Sequence, residues 1–189
     1  MKKLRTIAVI LLSLVILQGS NKAPFSQLDF TLQINQNINR NQFHKFWKVK
    51  KGLNIYYTTP FYTGEILAGC NYLSYKSKTN TRPDYQSYFI YTGWLYNIKI
   101  FEQATISPVI RFGNYLMNFD IDSQHEKYES EICIGYSVIF EYPLNSIINI
   151  NWEIGNEKIY TYKNLNFILL KAGINLQIEK PDWLKDFLE

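Results

Sequence analysis

The segment Ile168-Leu169-Leu170-Lys171-Ala172-Gly173-Ile174-Asn175-Leu176-Gln177-Ile178 decides the fold class. Ile168, Leu170, Ala172, Ile174, Leu176 and Ile178 occupy every second position, while Lys171, Gly173, Asn175 and Gln177 stand between them. A period of two sends successive side chains to opposite faces of an extended strand, whereas a helix would mix the two sets on each face.

The same alternation recurs N-terminally. Ile148, Ile150, Trp152 and Ile154 interleave with Asn149, Asn151, Glu153 and Gly155, and Ile132 through Phe140 set Ile132, Ile134, Tyr136, Val138 and Phe140 against Cys133, Gly135, Ser137 and Glu141. Further back, Ile106, Ile110, Phe112 and Leu116 oppose Ser107, Arg111 and Gly113, while Glu65 to Tyr75 carry Ile66, Ala68, Cys70 and Tyr72 on one face. Leu53 to Thr58 form another extended run, and Leu28, Phe30, Leu32 and Ile34 alternate with Asp29, Thr31, Gln33 and Asn35. Tyr85 to Asn97 is apolar on both faces, so its pattern leaves its orientation open. The chain thus reads as eight strands.

Their connections alternate in length. Thr59–Gly64, Ile98–Ala104 and Pro143–Ser146 are compact and turn-like, whereas Arg40–Lys51, Lys76–Asp84, Asn118–Glu129 and Asn156–Asn164 are longer and polar. In an antiparallel up-and-down meander alternate connections share an end, so all short turns fall at one end and all long loops at the other.

Charge placement decides which face is outside. No Asp, Glu, Lys or Arg stands on the apolar faces, while the opposite faces carry Asp29, Glu65, Arg111, Glu141, Glu153 and Lys171. A basic side chain facing lipid at mid-membrane costs ~2–4 kcal/mol, so a face cleared of charge is what a bilayer selects. A soluble secreted, lipocalin-like ligand-binding barrel would need the reverse sorting, with an outer surface richer in Lys and Glu. Aromatic residues crowd toward the strand ends, near the short turns (Tyr57, Tyr62, Trp94, Phe140, Tyr142) and near the long loops (Tyr72, Tyr75, Tyr85, Tyr115, Tyr160), as in two interfacial girdles. Pro108 removes a ladder donor but stands near the start of its strand.

The ends of the chain fit the same location. Lys2, Lys3 and Arg5 precede an 11-residue apolar run, Ile7 to Leu17, closed by Gln18-Gly19-Ser20, the three-part layout of a secretory signal peptide over residues 1–23. That run is short of the roughly 20 residues a spanning helix needs. Of the 20 basic residues Lys2, Lys3, Arg5 and Lys22 lie here; without them basic and acidic residues are equal at 16 each. A barrel domain follows over 24–179. Pro181, Trp183, Leu184, Phe187 and Leu188 then mark residues 180–189 as a short amphipathic periplasmic helix or a frayed tail.

Strand number, loop order, leader and girdles resemble the small eight-stranded bacterial outer-membrane β-barrel proteins. The resemblance covers about residues 28–179 and rests on architecture, not on a residue motif. It implies an all-β, eight-stranded antiparallel transmembrane barrel in the bacterial outer membrane, with short turns in the periplasm and long loops outside the cell. The chain departs from that pattern in continuing past its last strand with a polar, Pro-containing tail.

Several functions can be weighed from the residues. At 189 residues, 19% charged and 16% aromatic, the chain has neither the size of a two-domain enzyme nor the basic surface of a nucleic-acid binder. Cys70 and Cys133 are too few for a metal cluster or disulfide scaffold, and no cofactor motif occurs. Eight strands leave a lumen just wide enough for side chains. Asp29, Glu65, Arg111, Glu141, Glu153 and Lys171 are therefore expected to form a paired polar network rather than an open pore, with gating of a narrow channel as the other use of such a network. Arg40, Lys45, Trp47, Lys48, Lys50 and Lys51 make a basic, aromatic loop suited to outer-membrane lipids, lipopolysaccharide or another extracellular ligand. The leading expectation is a non-enzymatic barrel with a structural or surface-binding role. The enzymatic alternative, an acyl hydrolase acting on lipid A or phospholipid, rests on His125 with Ser123, Ser130, Glu126 and Glu129 nearby. The membrane reading predicts that the protein fractionates with membranes and migrates differently on detergent gels before and after boiling; a soluble protein with heat-independent migration would overturn it.

Overall fold

The computed structural model describes residues 23–39, 42–100, 103–120 and 128–179. The leader, most of the segment around His125, Arg40 and the 180–189 tail lie outside the described residues, so the expectations placed on them are not addressed by the fold.

Among the described residues nine strands form: β1 (Gln27–Asn37), β2 (Trp47–Phe61), β3 (Gly64–Ser77), β4 (Tyr85–Leu95), β5 (Ile98–Lys99), β6 (Thr105–Phe119), β7 (Tyr128–Pro143), β8 (Ile148–Ile159) and β9 (Leu165–Glu179), with a 3-10 turn at Gln42–Lys45. Each long strand pairs antiparallel with its sequence neighbours, β4 pairs directly with β6, and β1 pairs with β9 from Gln27↔Glu179 to Asn37↔Leu169. The last ladder closes an eight-stranded barrel and removes both sheet edges, leaving no row of unpaired backbone groups to face lipid. The two-residue β5 is a side piece paired to Ile106 and Thr105 of β6.

Side chains sort as charge placement predicted. Phe112 (55% exposed), Tyr136 (53%) and Ile154 (54%) face outward, whereas Arg111, Glu153 and Lys171 are at most 2% exposed inside. The open orientation of the fourth predicted strand is decided by its neighbours: Tyr85, Ser87, Phe89, Tyr91 and Leu95 enter the lumen, and Ile90 and Trp94 face out. This inside-out distribution contradicts a soluble ligand-binding barrel, which requires a polar exterior and an open apolar cavity.

Three expectations on boundaries change. Trp47 to Lys51 belong to β2, not to a loop, because they continue the ladder with β3 across a bulge between Val49 and Lys51. The first short turn contracts to Tyr62-Thr63, with Tyr62 in the left-handed region at φ 50°. Tyr75, Tyr85 and Tyr115 are not part of an outer girdle, because they point into the lumen. The inner girdle is formed by exposed Tyr57, Trp94, Tyr142 and Trp152. Pro108 accepts the Tyr96 amide at its carbonyl, so its missing N–H faces the side on which β4 has already ended at Leu95.

The lumen is crowded enough to require glycine. A Cβ at Gly69 would collide with both the Ile55 carbonyl oxygen and Tyr56 Cβ across the β2–β3 ladder, where neither can give way. Placing Lys at position 154, midway along β8 on the lipid face, is expected to lower stability in liposomes by about 2–4 kcal/mol in denaturant titrations; an unchanged midpoint for Ile154→Lys would show that this face does not contact hydrocarbon.

Candidate functional site

The lumen holds three layers, each set by which strands bring short or long side chains inward. At the centre, β6 contributes Arg111, β8 contributes Glu153 and Glu157, and β9 contributes Lys171. Glu153 and Lys171 are direct cross-strand partners. Arg111 must pass across β7 to reach β8, and its register partner there is Gly135, which leaves the room. Its guanidinium then grips Glu153 in a fork, Nη1 to Oε1 at 2.6 Å and Nη2 to Oε2 at 3.1 Å, and Nη1 also donates to Ser137 Oγ at 2.7 Å. Lys171 Nζ lies 3.1 Å from Glu153 Oε1 and 3.7 Å from Glu157 Oε1, and Asn71 donates to Glu157 at 2.8 Å. The Arg111 guanidinium sits 5.2 Å from the Tyr91 ring centroid and 5.7 Å from that of Tyr56.

Two cations and two carboxylates make this cluster formally neutral, and it is packed so closely that no water-sized space remains among its members. Buried charges are tolerable only when paired and hydrogen-bonded in this way. Sequence patterning named Arg111, Glu153 and Lys171 for the lumen but missed Glu157, which follows Glu153 by four residues and so returns to the same face of β8.

The half toward the short turns is a net of uncharged side chains with acids at its mouth. Tyr91 donates to Asn54 at 2.7 Å, Asn54 to Gln33 at 2.7 Å, and Gln33 to Asn151 at 2.8 Å. Asn35 donates to Asn71, which in turn donates to Glu157 of the central cluster. Asp29, Glu65 and Glu141 do not join Arg111 and Lys171 as expected. They line a separate cavity of about 40 Å³ at the mouth, where Asn97 donates to Glu65 at 2.6 Å and Asn149 to Glu141 at 2.9 Å. Along the ladders Glu141 lies six residues from Gly135, the partner of Arg111, and Asp29 six residues from Asn35, the partner of Lys171.

The outer half is apolar, which the expected polar lumen did not include. Phe43, from the 3-10 turn, drops into the barrel and stacks on Trp47 at 4.9 Å, with Tyr75, Tyr85 and Phe167 at 5.1–5.8 Å around it. Phe89, Tyr115, Leu73 and Leu169 fill the space beneath. Trp47, expected on a ligand-binding loop, is therefore part of this plug, and its indole N–H donates to the Pro83 carbonyl at 2.9 Å. Lys45, Lys48 and Lys50 remain exposed at the rim. A cleft of about 360 Å³ opens beside the plug, lined by Lys50, Asp84, Gln86, Asn118 and Asp120 among others.

No catalytic constellation is assembled among the described residues. His44 lies against the Phe43 ring, 5.7 Å between centroids, and burial together with the nearby Lys78 ammonium lowers its basicity. No cluster of His, Cys, Asp and Glu among the described residues is arranged to hold a metal ion. Cys133 is buried in the lumen and Cys70 is half-buried, both as free thiols.

No family model and no curated protein matches the chain. Solved structures do match in fold. Neisserial surface protein A is 13% identical, with 83% of this chain and 100% of that one covered at a TM-score of 0.58. Ail, the attachment invasion locus protein of Yersinia pestis, is 11% identical over 80% of this chain and 97% of its own, at 0.52. The N-terminal β-barrel domain of Pseudomonas aeruginosa OprF is 8% identical over 82% and 100%, at 0.53. The chain has the fold of these outer-membrane barrels, and the exterior of its span carries the apolar side chains that hydrocarbon accepts.

The ion-pair geometry predicts a rank order. Glu153→Gln leaves two buried cations facing one carboxylate and is expected to cost about 3–5 kcal/mol in reversible unfolding. Glu157→Gln, which loses only the longer contact, is expected to cost less; equal losses would show that Glu153 is not the bridging group.

Proposed function

We propose that this chain is a non-enzymatic outer-membrane barrel whose lumen serves as a structural core and whose activity lies on its outer face, in surface binding. The observation that carries this reading is the filled lumen. The neutral cluster at Arg111, Glu153, Glu157 and Lys171 leaves no space for water, and the plug around Phe43 lies directly above it. Ions would need to displace both layers, and the filled cluster leaves a substrate no open space among these side chains.

The binding part of the proposal draws on the rim, where exposed Lys45, Lys48, Lys50 and Lys76 gather on and beside β2 and β3. Outer-membrane lipids, lipopolysaccharide included, and extracellular polyanions share the chemistry such a rim attracts. Among proteins of similar fold, Ail of Yersinia pestis has a crystal structure in complex with the heparin analogue sucrose octasulfate. The secretory leader and the 180–189 rim helix belong to the same proposal as parts of delivery and assembly.

Planar-bilayer recording tests the sealed lumen. The unmutated protein is expected to give no sustained conductance steps, and Arg111→Ser none that the unmutated protein lacks as long as the aromatic plug is intact. A steady conductance abolished by Arg111→Ser would replace the structural reading with a gated channel.

A further inference from the structure

We propose that the outer wall at β2 and β3, with the β3–β4 loop above it, binds the phosphate groups of a lipid headgroup in the surrounding leaflet, through Lys48, Lys76 and Arg82. This rests on the surface-binding reading and names its ligand class.

Lys48 and Lys76 are direct partners in the β2–β3 ladder, and both are exposed. The next pair along, Val49 and Tyr75, packs into the lumen, so alternation sends the two lysines out of the barrel wall, sideways toward the leaflet. Like charges directly opposite one another in a ladder repel. The ion pairs among the described residues are the three in the lumen, and none reaches either lysine. An anion between them would convert that repulsion into two favourable contacts.

Their height fits a headgroup. Four residues down β3 on the same outer face, Tyr72 meets Tyr88 with ring centroids 5.2 Å apart. Such amphipathic rings settle where hydrocarbon gives way to headgroups. The lysines thus stand about 13 Å further along the strand, within the polar layer.

Arg82, in the loop that follows β3, adds a preorganised fork at the same end of the wall. Its guanidinium lies 3.8 Å from the Phe46 ring centroid and 5.1 Å from that of Trp47. Its loop is pinned by the bond from the Trp47 indole to Pro83 and by the Lys78 amide donating to the Phe46 carbonyl at 2.7 Å. A guanidinium held by its flat face keeps its edge donors available, the geometry that a phosphate accepts in bidentate fashion. Lys78 points elsewhere, donating to the His44 carbonyl at 2.5 Å. Because the two lysines project laterally rather than away from the membrane, the phosphate they fit belongs to a lipid and not to a soluble ligand.

The test uses the full chain folded in phosphate-free maltoside micelles, titrated with bisphosphorylated lipid A or the same lipid stripped of phosphate, with thermal unfolding as the readout. Phosphorylated lipid is expected to raise the unfolding midpoint and the stripped lipid to raise it less. Lys48→Gln/Lys76→Gln is expected to weaken the phosphorylated lipid about tenfold, whereas Lys99→Gln at the opposite end leaves it unchanged. Without added lipid, Lys76→Glu is expected to unfold no earlier than the unmutated protein, because it replaces a repulsive pair; this separates lost binding from lost folding. Equal responses to the two lipids, or to the double variant and the unmutated chain, would overturn the phosphate assignment alone. Equal protection by sucrose octasulfate without lipid would overturn the lipid source. A folded barrel that responds to neither lipid nor polyanion would overturn the surface-binding reading itself.

Discussion

Hydrocarbon offers no water to a charge or to a backbone amide, and this constraint organises the whole molecule. It forces the sheet to close, which the β1–β9 ladder does, and it forces every long-lived charge in the span to the inside. Once inside a cylinder of eight strands, charges have only one another for partners. The fork between Arg111 and Glu153, with Lys171 bridging to Glu157, is therefore a consequence of the exterior as much as a feature of the lumen.

The same narrowness accounts for the layering. Gly69 stands where a Cβ would meet Ile55 and Tyr56 across the ladder, and Arg111 lies over Gly135 as it crosses the bore. Toward the outside the filling becomes aromatic, and the chain uses Phe43 and Trp47 from its first long connection as core. The accessible polar groups are thereby displaced onto the rim. What could have been an exposed aromatic loop is withdrawn into the barrel, while the lysines that alternate with it on β2 stay on the wall.

A large part of the fold was legible from the chain. Strict alternation in segments such as Ile132–Phe140 and Ile168–Ile178, and the sorting of charge against apolar residues, define strands, their number and their lipid-facing side, because a period of two admits only two faces. Arg111, Glu153 and Lys171 were recognisable as inward for the same reason. Tyr85–Asn97 carried no such contrast, so its orientation depended on the strands beside it.

Depth and partnership were decided only by the tertiary structure. Alternation says which face a residue takes but not its height in the cylinder, since height follows from strand stagger and register. Hence Asp29, Glu65 and Glu141 share a face with Arg111 yet lie at the mouth beside the short turns, Glu157 joins the central cluster, and Trp47 turns from loop to plug. The amino-acid order by itself determined inside against outside, a local property of each strand; which inward groups meet is a property of eight strands closed at one register, and no single segment contains it.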